Sequence, residues 1–181
     1  MKVAICSSSD ELIDDKYKNS ARKIISFLAN NDCDLVWGSA SSSIMGICYD
    51  EFSKKGRKIH GFTTEKYVDD LNNLPNAAHK VCDNTFLMKQ EIFNNSDMIL
   101  FLPGGIGTIS EFFAYLEEVR SNGSNKILII YNEDHHFDTT LRLIEDLVER
   151  NFNSKSMYGC FNVINNIEEF KKYFIEKINK I

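Results

Sequence analysis

The chain has 181 residues, a net charge of −5, and hydrophobic and charged fractions of 43% and 26%, which is typical of one globular domain, here residues 1–181, with its own core. The acidic balance provides no basic field for nucleic acid, and no apolar run approaches the roughly 20 residues that cross a bilayer. Five dispersed cysteines without a Cys-x-x-Cys pair favour reduced thiols in a cytoplasmic protein over a disulfide framework or a zinc site.

Short apolar runs alternate with segments of helical spacing along nearly the whole chain. The pattern predicts strands at residues 3–6, 35–37, 58–62, 79–82, 98–102 and 127–131, and helices at residues 17–30, 44–54, 85–94, 108–121, 139–150 and 167–178. The strands are too apolar to be half-exposed, so we expect an α/β fold, a Rossmann-like doubly wound parallel sheet flanked by helices on both faces. Ligands of such sheets bind at the carboxyl ends of the strands.

A glycine-rich loop follows the fifth predicted strand. The apolar run stops at Pro103, and Gly104, Gly105 and Gly107 precede Thr108, where a segment of helical spacing begins. Free backbone N–H groups and the positive end of a helix dipole converge at such a junction, which favours an anion such as phosphate. The loop therefore predicts a site for a phosphorylated ligand.

Small polar residues follow two other predicted strands. Ser8 and Ser9 follow the first, and a run from Gly38 to Ser43 follows the second. One interpretation is that the serines cap the helices that come next; the other is that all three loops line one nucleotide or sugar-phosphate pocket. The loops contain no lysine and match neither the P-loop nor the Gly-x-Gly-x-x-Gly pattern, which disfavours a kinase, an ATPase or a dehydrogenase.

Glu111 also has two interpretations. Residues 108–111, Thr-Ile-Ser-Glu, fit a capping box, in which the carboxylate accepts a hydrogen bond from the backbone N–H of Thr108. A carboxylate one turn into a helix beside a phosphate loop is equally well placed to bind ribose hydroxyls or to activate water at the anomeric carbon. Spacing alone does not decide between the two.

Two further groups of polar residues fit ordinary surface positions. His135 and His136 precede a predicted helix and fit a surface loop, with a catalytic role as the alternative. Asp69 and Asp70 fit an ordinary solvated surface.

The motif Pro-Gly-Gly-x-Gly-Thr-x-x-Glu is present at every fixed position of residues 103–111. Further matches lie at residues 5–9, 44–46 and 96–97, and at Lys126 and Asn132. With these residues the chain resembles, over nearly its whole length, the LOG (Lonely Guy) proteins, which were long described as lysine decarboxylases.

The resemblance implies a homodimer that hydrolyses a nucleoside 5′-monophosphate, AMP or an N6-modified AMP, to free base and ribose 5-phosphate without a cofactor. It implies Glu111 and Lys89 as catalytic residues. The residues expected to bind substrate and phosphate are Gly104, Gly105, Gly107, Thr108, Ser8, Ser9, Gly38 and Met88. Neither a metal, nor nucleic acid, nor a membrane is expected as a partner.

The chain departs from the family pattern at three places. The arginine of the family motif Met-His-x-Arg-Lys is Met88 here, and only Lys89 is retained. The family sequence Gly-Gly-Gly-x-x-Gly is Gly-Ser-Ala-Ser-Ser-Ser at residues 38–43, which predicts a changed backbone path because positive φ is costly outside glycine. The glycine of the family's Gly-Tyr-Tyr turn is Asp134.

The missing arginine leaves several functions open. Lys89 or Arg120 could supply the positive charge, or the chain could be a nucleotide-binding or sensing protein of the same fold with weakened or lost turnover. A nucleosidase or deoxyribosyl transferase with another substrate is a third hypothesis. Lysine decarboxylation is disfavoured, because no lysine-centred pyridoxal phosphate site is apparent in the sequence.

Overall fold

The computed structural model describes residues 1–178 and contains a seven-stranded sheet. The strands are β1 Lys2–Cys6, β2 Asp34–Trp37, β3 Ile59–Thr64, β4 Ala78–Cys82, β5 Met98–Phe101, β6 Ile127–Tyr131 and β7 Asn162–Ile164. The helices are α1 Asp15–Asn30, α2 Ser43–Lys54, α3 Thr85–Asn94, α4 Ile106–Asn122, α5 Asp138–Glu149 and α6 Ile167–Ile178. Short 3-10 segments lie at Glu65–Asn73, Glu133–His135 and Lys155–Gly159.

The sheet has the order β4-β3-β2-β1-β5-β6-β7, and every pair is parallel. In the central strand β1, Val3 lies opposite Leu35 of β2 and Met98 of β5. The chain runs outward from β1 to β4 and then returns to the other side of β1 at β5. The strand order therefore reverses between β1 and β5, which is where doubly wound sheets open a crevice for ligands.

The two faces of the sheet carry separate hydrophobic clusters, because successive strand residues point to opposite sides. In β1, Val3 and Ile5 pack in a cluster with α1, α2 and α6, whereas Ala4 and Cys6 pack in a cluster with α3, α4 and α5. The predicted α/β fold with helices on both faces is thus confirmed. Within residues 1–178, no helix combines the length and the apolar character needed to cross a membrane.

The element boundaries differ from the sequence prediction at a few places. All six predicted strands are present, but the seventh, β7 Asn162–Ile164, was not predicted because it is three residues long and begins with a polar side chain. Helix α1 begins at Asp15, two residues before the predicted start, since Asp14 accepts a hydrogen bond from the N–H of Lys16 and caps it. Helix α4 also begins two residues early, at Ile106.

Candidate functional site

A cleft of about 580 Å³ lies at the carboxyl edge of the sheet, over the ends of β1, β2, β3 and β5. Most of the residues predicted to form a site line this cleft. They are Ser9, Gly38, Met88, Lys89, Gly107, Thr108 and Glu111. The three loops that follow β1, β2 and β5 therefore meet at one place, as the switch point of the sheet requires.

Three predicted residues line a neighbouring cavity of about 320 Å³ instead: Ser8, Gly104 and Gly105. The side chain of His136 closes this cavity, with its Nε2 atom 3.1 Å from the backbone nitrogen and 2.9 Å from the carbonyl oxygen of Gly104. The glycine loop thus separates two cavities. In the loop after β1 it is Ser7 that shares the large cleft with Ser9, because successive residues of an extended segment point to opposite sides and alternate residues to the same side.

The N-terminus of α4 opens without a side-chain cap. Gly105 is the N-cap residue, and among the described residues no side chain bonds to the helix at that position. The first-turn N–H groups and the positive end of the helix dipole are therefore available to an anion. Gly104 must be glycine here, since a Cβ atom would lie 2.2 Å from Thr108 Oγ1 and 3.2 Å from the carbonyl carbon of Ser7.

The early start of α4 tests one of the two interpretations of Glu111, the capping box. Counted from Ile106, Glu111 is the sixth helical residue, whereas a capping-box glutamate occupies the third. The capping-box interpretation is therefore wrong. The carboxyl group lies in the second turn and lines the cleft.

The surroundings of Glu111 make its carboxyl group a weak acid. Burial raises its pKa to about 7, although the Cys6 thiol and the Lys89 ammonium lower it. Burial, together with the neighbouring Glu111 carboxyl, also raises the pKa of Cys6 well above its ordinary value, so the thiol stays protonated. One helical turn further, the Tyr115 hydroxyl is buried without a hydrogen-bond partner among residues 1–178. Glu111 is thus poised to exchange a proton near neutral pH.

The positive charge at the site comes from Lys89. Its Nζ atom donates a hydrogen bond of 2.6 Å to Ser110 Oγ, next to Glu111. Met88 lines the same cleft with a thioether that has no donor. Arg120 does not supply the missing guanidinium within this chain, because its Nε and Nη2 atoms bond to the Glu117 carboxylate at 2.9 and 2.7 Å on the exposed side of α4.

Residues other than glycine have a left-handed backbone near the sheet edge, in the segment from the end of β2 to the start of α2 and in the turn after β6. Ser39 and Ser43 have φ values of +50° and +52°, and Asp134 has +49°. All three occupy positions at which the family sequence has glycine. These side chains thus adopt the left-handed conformation, at a cost of roughly 1–2 kcal/mol each, and the change of backbone path relative to the family stays a prediction.

Asp70 and Tyr67 are among the cleft residues that sequence reasoning missed. Asp70 is not simply a solvated charge, since its carboxylate accepts hydrogen bonds from Ser41 N at 3.1 Å and from Ser41 Oγ at 2.6 Å and lines the cleft. These bonds lower the pKa of Asp70. Tyr67 lies beside it with about half of its surface exposed. Both belong to the 3-10 segment Glu65–Asn73, which is kinked at Tyr67 and has no buried residue, so no regular element packed on the core could have placed them.

The histidine pair divides between two environments. His136 contacts the glycine loop, whereas the Nδ1 atom of His135 lies 3.1 Å from an Asp138 carboxylate oxygen at the surface. In the part of the chain that the structure describes, no group of three or more His, Cys, Asp or Glu side chains is arranged to hold a metal ion.

Comparisons with known proteins show which family the chain belongs to. A model of the family described as "possible lysine decarboxylase" matches residues 45–174. The probable cytokinin riboside 5′-monophosphate phosphoribohydrolase LOG4 of Oryza sativa subsp. japonica is 25% identical over 143 residues, which make up 78% of this chain and 62% of that protein. The cytokinin riboside 5′-monophosphate phosphoribohydrolase LOG1 of Arabidopsis thaliana is 24% identical over 137 residues, 75% of this chain and 64% of that protein. The match thus spans less than two thirds of either relative.

The fold itself is shared more widely. The molybdenum cofactor binding protein of Rippkaea orientalis superimposes with a TM-score of 0.70 over 98% of this chain and 96% of that one, at 14% identity. Such a likeness supports the fold alone. Because the family model covers more than half of the sequence and the glycine-loop signature is intact, the chain belongs to the possible lysine decarboxylase family, the family of the LOG proteins.

Proposed function

We propose that the chain hydrolyses the N-glycosidic bond of a nucleoside 5′-monophosphate, AMP or an N6-modified AMP, to free base and ribose 5-phosphate. The observation that carries the proposal is the Glu111 carboxyl, whose pKa burial raises to about 7, in a cleft beside the open N-terminus of α4. The names of the curated relatives describe the same reaction on cytokinin riboside 5′-monophosphates.

The cleft offers a binding position for each part of such a substrate. The phosphate would accept hydrogen bonds from the backbone at Gly107 and Thr108, where the helix dipole also favours negative charge. Lys89 would add a positive charge, and the unpartnered hydroxyl of Ser7 a donor. From the end of β5 to the end of β3 the cleft crosses three strand spacings, about 14 Å at roughly 4.8 Å each, which suits an extended nucleoside monophosphate.

The chemistry requires one water molecule and one carboxylate. As the bond between C1′ and the base nitrogen breaks, the ribose gains oxocarbenium character. The ionised Glu111 would orient a water molecule, whose oxygen bonds to C1′ while its proton passes to the carboxylate. The electrons of the broken bond leave with the base, which takes up one proton on release. Loss of the proton held by Glu111 balances this uptake and regenerates the carboxylate. No cofactor takes part in this sequence.

A second candidate function is nucleotide binding with little or no turnover. The observation that favours it is the thioether of Met88 at the family's arginine position, with Arg120 held by Glu117 outside the cleft. Lysine lacks the planar donor fork of arginine, so Lys89 does not replace it fully. The loss of one donor to the transition state costs roughly 10²–10³ in rate.

Base release distinguishes the two functions. The purified chain is incubated with AMP, other nucleoside monophosphates and N6-substituted AMP, and free base is measured by chromatography, with Glu111→Gln as the matched inactive control. Base release by the wild type alone supports hydrolysis. Saturable binding of AMP by calorimetry without release from any nucleotide supports the binding protein, and the absence of both refutes the two functions together.

The quaternary structure stays a prediction, as do the single domain over residues 1–181 and the cytoplasmic location. We propose a homodimer, for which the exposed apolar side chains Phe86 and Leu87 of α3, 81% and 41% exposed, are candidate contacts next to the cleft. Light scattering coupled to gel filtration measures the mass, and Phe86→Ser is expected to shift a dimer toward the monomer.

A further inference from the structure

The loop between β2 and α2 forms one wall of the cleft although part of its backbone is strained. Ser39 has a φ of +50°, is 1% exposed and lines the cleft beside Gly38. Glycine adopts this conformation freely, whereas a serine needs contacts that hold it there. These contacts come from outside the loop.

The side chain that holds Ser39 is His79 of the edge strand β4. The Ser39 Oγ atom lies 3.1 Å from His79 Nδ1, and His79 Nε2 lies 3.0 Å from the carbonyl oxygen of Leu74. A carbonyl oxygen only accepts, so Nε2 donates to Leu74, and in the tautomer with its hydrogen on Nε2 the Nδ1 atom accepts from the Ser39 hydroxyl. Both ring nitrogens are thus used, and the imidazole is fixed in one orientation.

The hydrogen bond crosses the intervening strand at a glycine. Gly61 of β3 lies opposite Trp37 of β2 and opposite His79 of β4. A Cβ atom on Gly61 would lie 2.1 Å from Ser39 Oγ and 2.6 Å from His79 Nδ1. Because Gly61 has no side chain, the Ser39 hydroxyl and the His79 ring can come into contact across β3 at this position.

We propose that His79 is a positioning residue for the substrate cleft: it holds Ser39 in the left-handed conformation that gives the wall of the cleft its shape. The proposal rests on the proposed function in that the cleft binds a nucleotide. His79 itself does not line the cleft, and three strands separate its strand β4 from β5. Its substitution is therefore expected to affect binding and to leave the proton chemistry of Glu111 unchanged.

A double-mutant cycle tests the proposal. In the wild-type background, His79→Ala is expected to weaken AMP binding about tenfold, with kcat unchanged within twofold if base is released. In the Ser39→Gly background the loop adopts the left-handed conformation without help, so the same substitution is expected to change the Kd less than twofold. A purely structural role of His79 would weaken binding equally in both backgrounds, and that result would overturn the proposal.

A matched control and a second measurement complete the test. The control is His60→Ala in the adjacent strand β3, which also removes a partly buried imidazole. The Nε2 atom of His60 has no hydrogen-bond partner among the described residues, so this substitution is expected to leave the Kd unchanged. Urea unfolding of the four cycle proteins measures the coupling without ligand: additive shifts of the midpoint would refute the contact. If no protein of the cycle binds AMP, the proposed function fails, while the unfolding data still decide whether His79 holds Ser39.

Discussion

Replacing Glu111 with glutamine is expected to stabilise the fold while it abolishes hydrolysis. Burial raises the pKa of this carboxyl from its ordinary 4.5 to about 7. The folded chain therefore retains a proton that the unfolded chain releases, and the free energy of unfolding falls as the pH rises between these values. At about 1.36 kcal/mol for each pKa unit, the ionisable Glu111 lowers the free energy of unfolding by about 1 kcal/mol at pH 5 and by about 3 kcal/mol at pH 8.

The measurement is urea unfolding of the wild type and Glu111→Gln at pH 5, 6, 7 and 8. Because glutamine carries no charge at any pH, the variant should gain about 1 kcal/mol over the wild type at pH 5 and about 3 kcal/mol at pH 8. Glu118→Gln, on the exposed side of the same helix, controls for the substitution itself. A difference between wild type and Glu111→Gln that stays constant across this range would refute the argument that burial of the carboxyl raises its pKa.

Three other substitutions test separate parts of the site. Met88→Arg is expected to raise kcat/KM for AMP by roughly 10²–10³, and Met88→Leu should leave it unchanged; equal rates for both would show that a guanidinium is not what this cleft lacks. Lys89→Met removes a charge that lowers the pKa of Glu111, so the midpoint of the rising pH–rate profile should move to higher pH. An unchanged midpoint would show that Lys89 does not affect the titration of Glu111. Ser43→Gly should raise the free energy of unfolding by about 1–2 kcal/mol, and Ser43→Ala, which removes only the unpartnered hydroxyl, by less; equal gains would argue against strain at this φ.

The sequence was sufficient for the parts of the fold that repeat a simple pattern. The buried strands are short apolar runs, and successive residues such as Ala4 and Ile5 pack on opposite faces, so their pattern predicted a covered parallel sheet. The glycine loop was recognisable because its residue types follow from local backbone geometry. By contrast, β7 is too short for a periodic signal.

The parts of the site that escaped prediction depend on contacts between distant residues. Asp70 enters the cleft through its bonds to Ser41, 29 positions away in the sequence. His136 meets Gly104 from a loop 32 positions further along. Local spacing left two roles open for Glu111, because the start of α4 at Ile106 depends on the backbone conformation of Gly105.

The position of β1 in the sheet has a consequence for how the protein assembles during synthesis. Val3 pairs with Leu35, 32 residues further along the chain, and with Met98, 95 residues further along. At roughly 5–20 residues per second, a ribosome completes the strands from β1 through β4 seconds before it completes β5. Until then, the edge of β1 that pairs with β5 has no neighbouring strand. Residues from both halves line the cleft, so it is completed only when β5 docks. Under the proposed function, the amount of nucleotide bound would therefore also measure the fraction of a nascent or stressed population in which β5 has docked on β1.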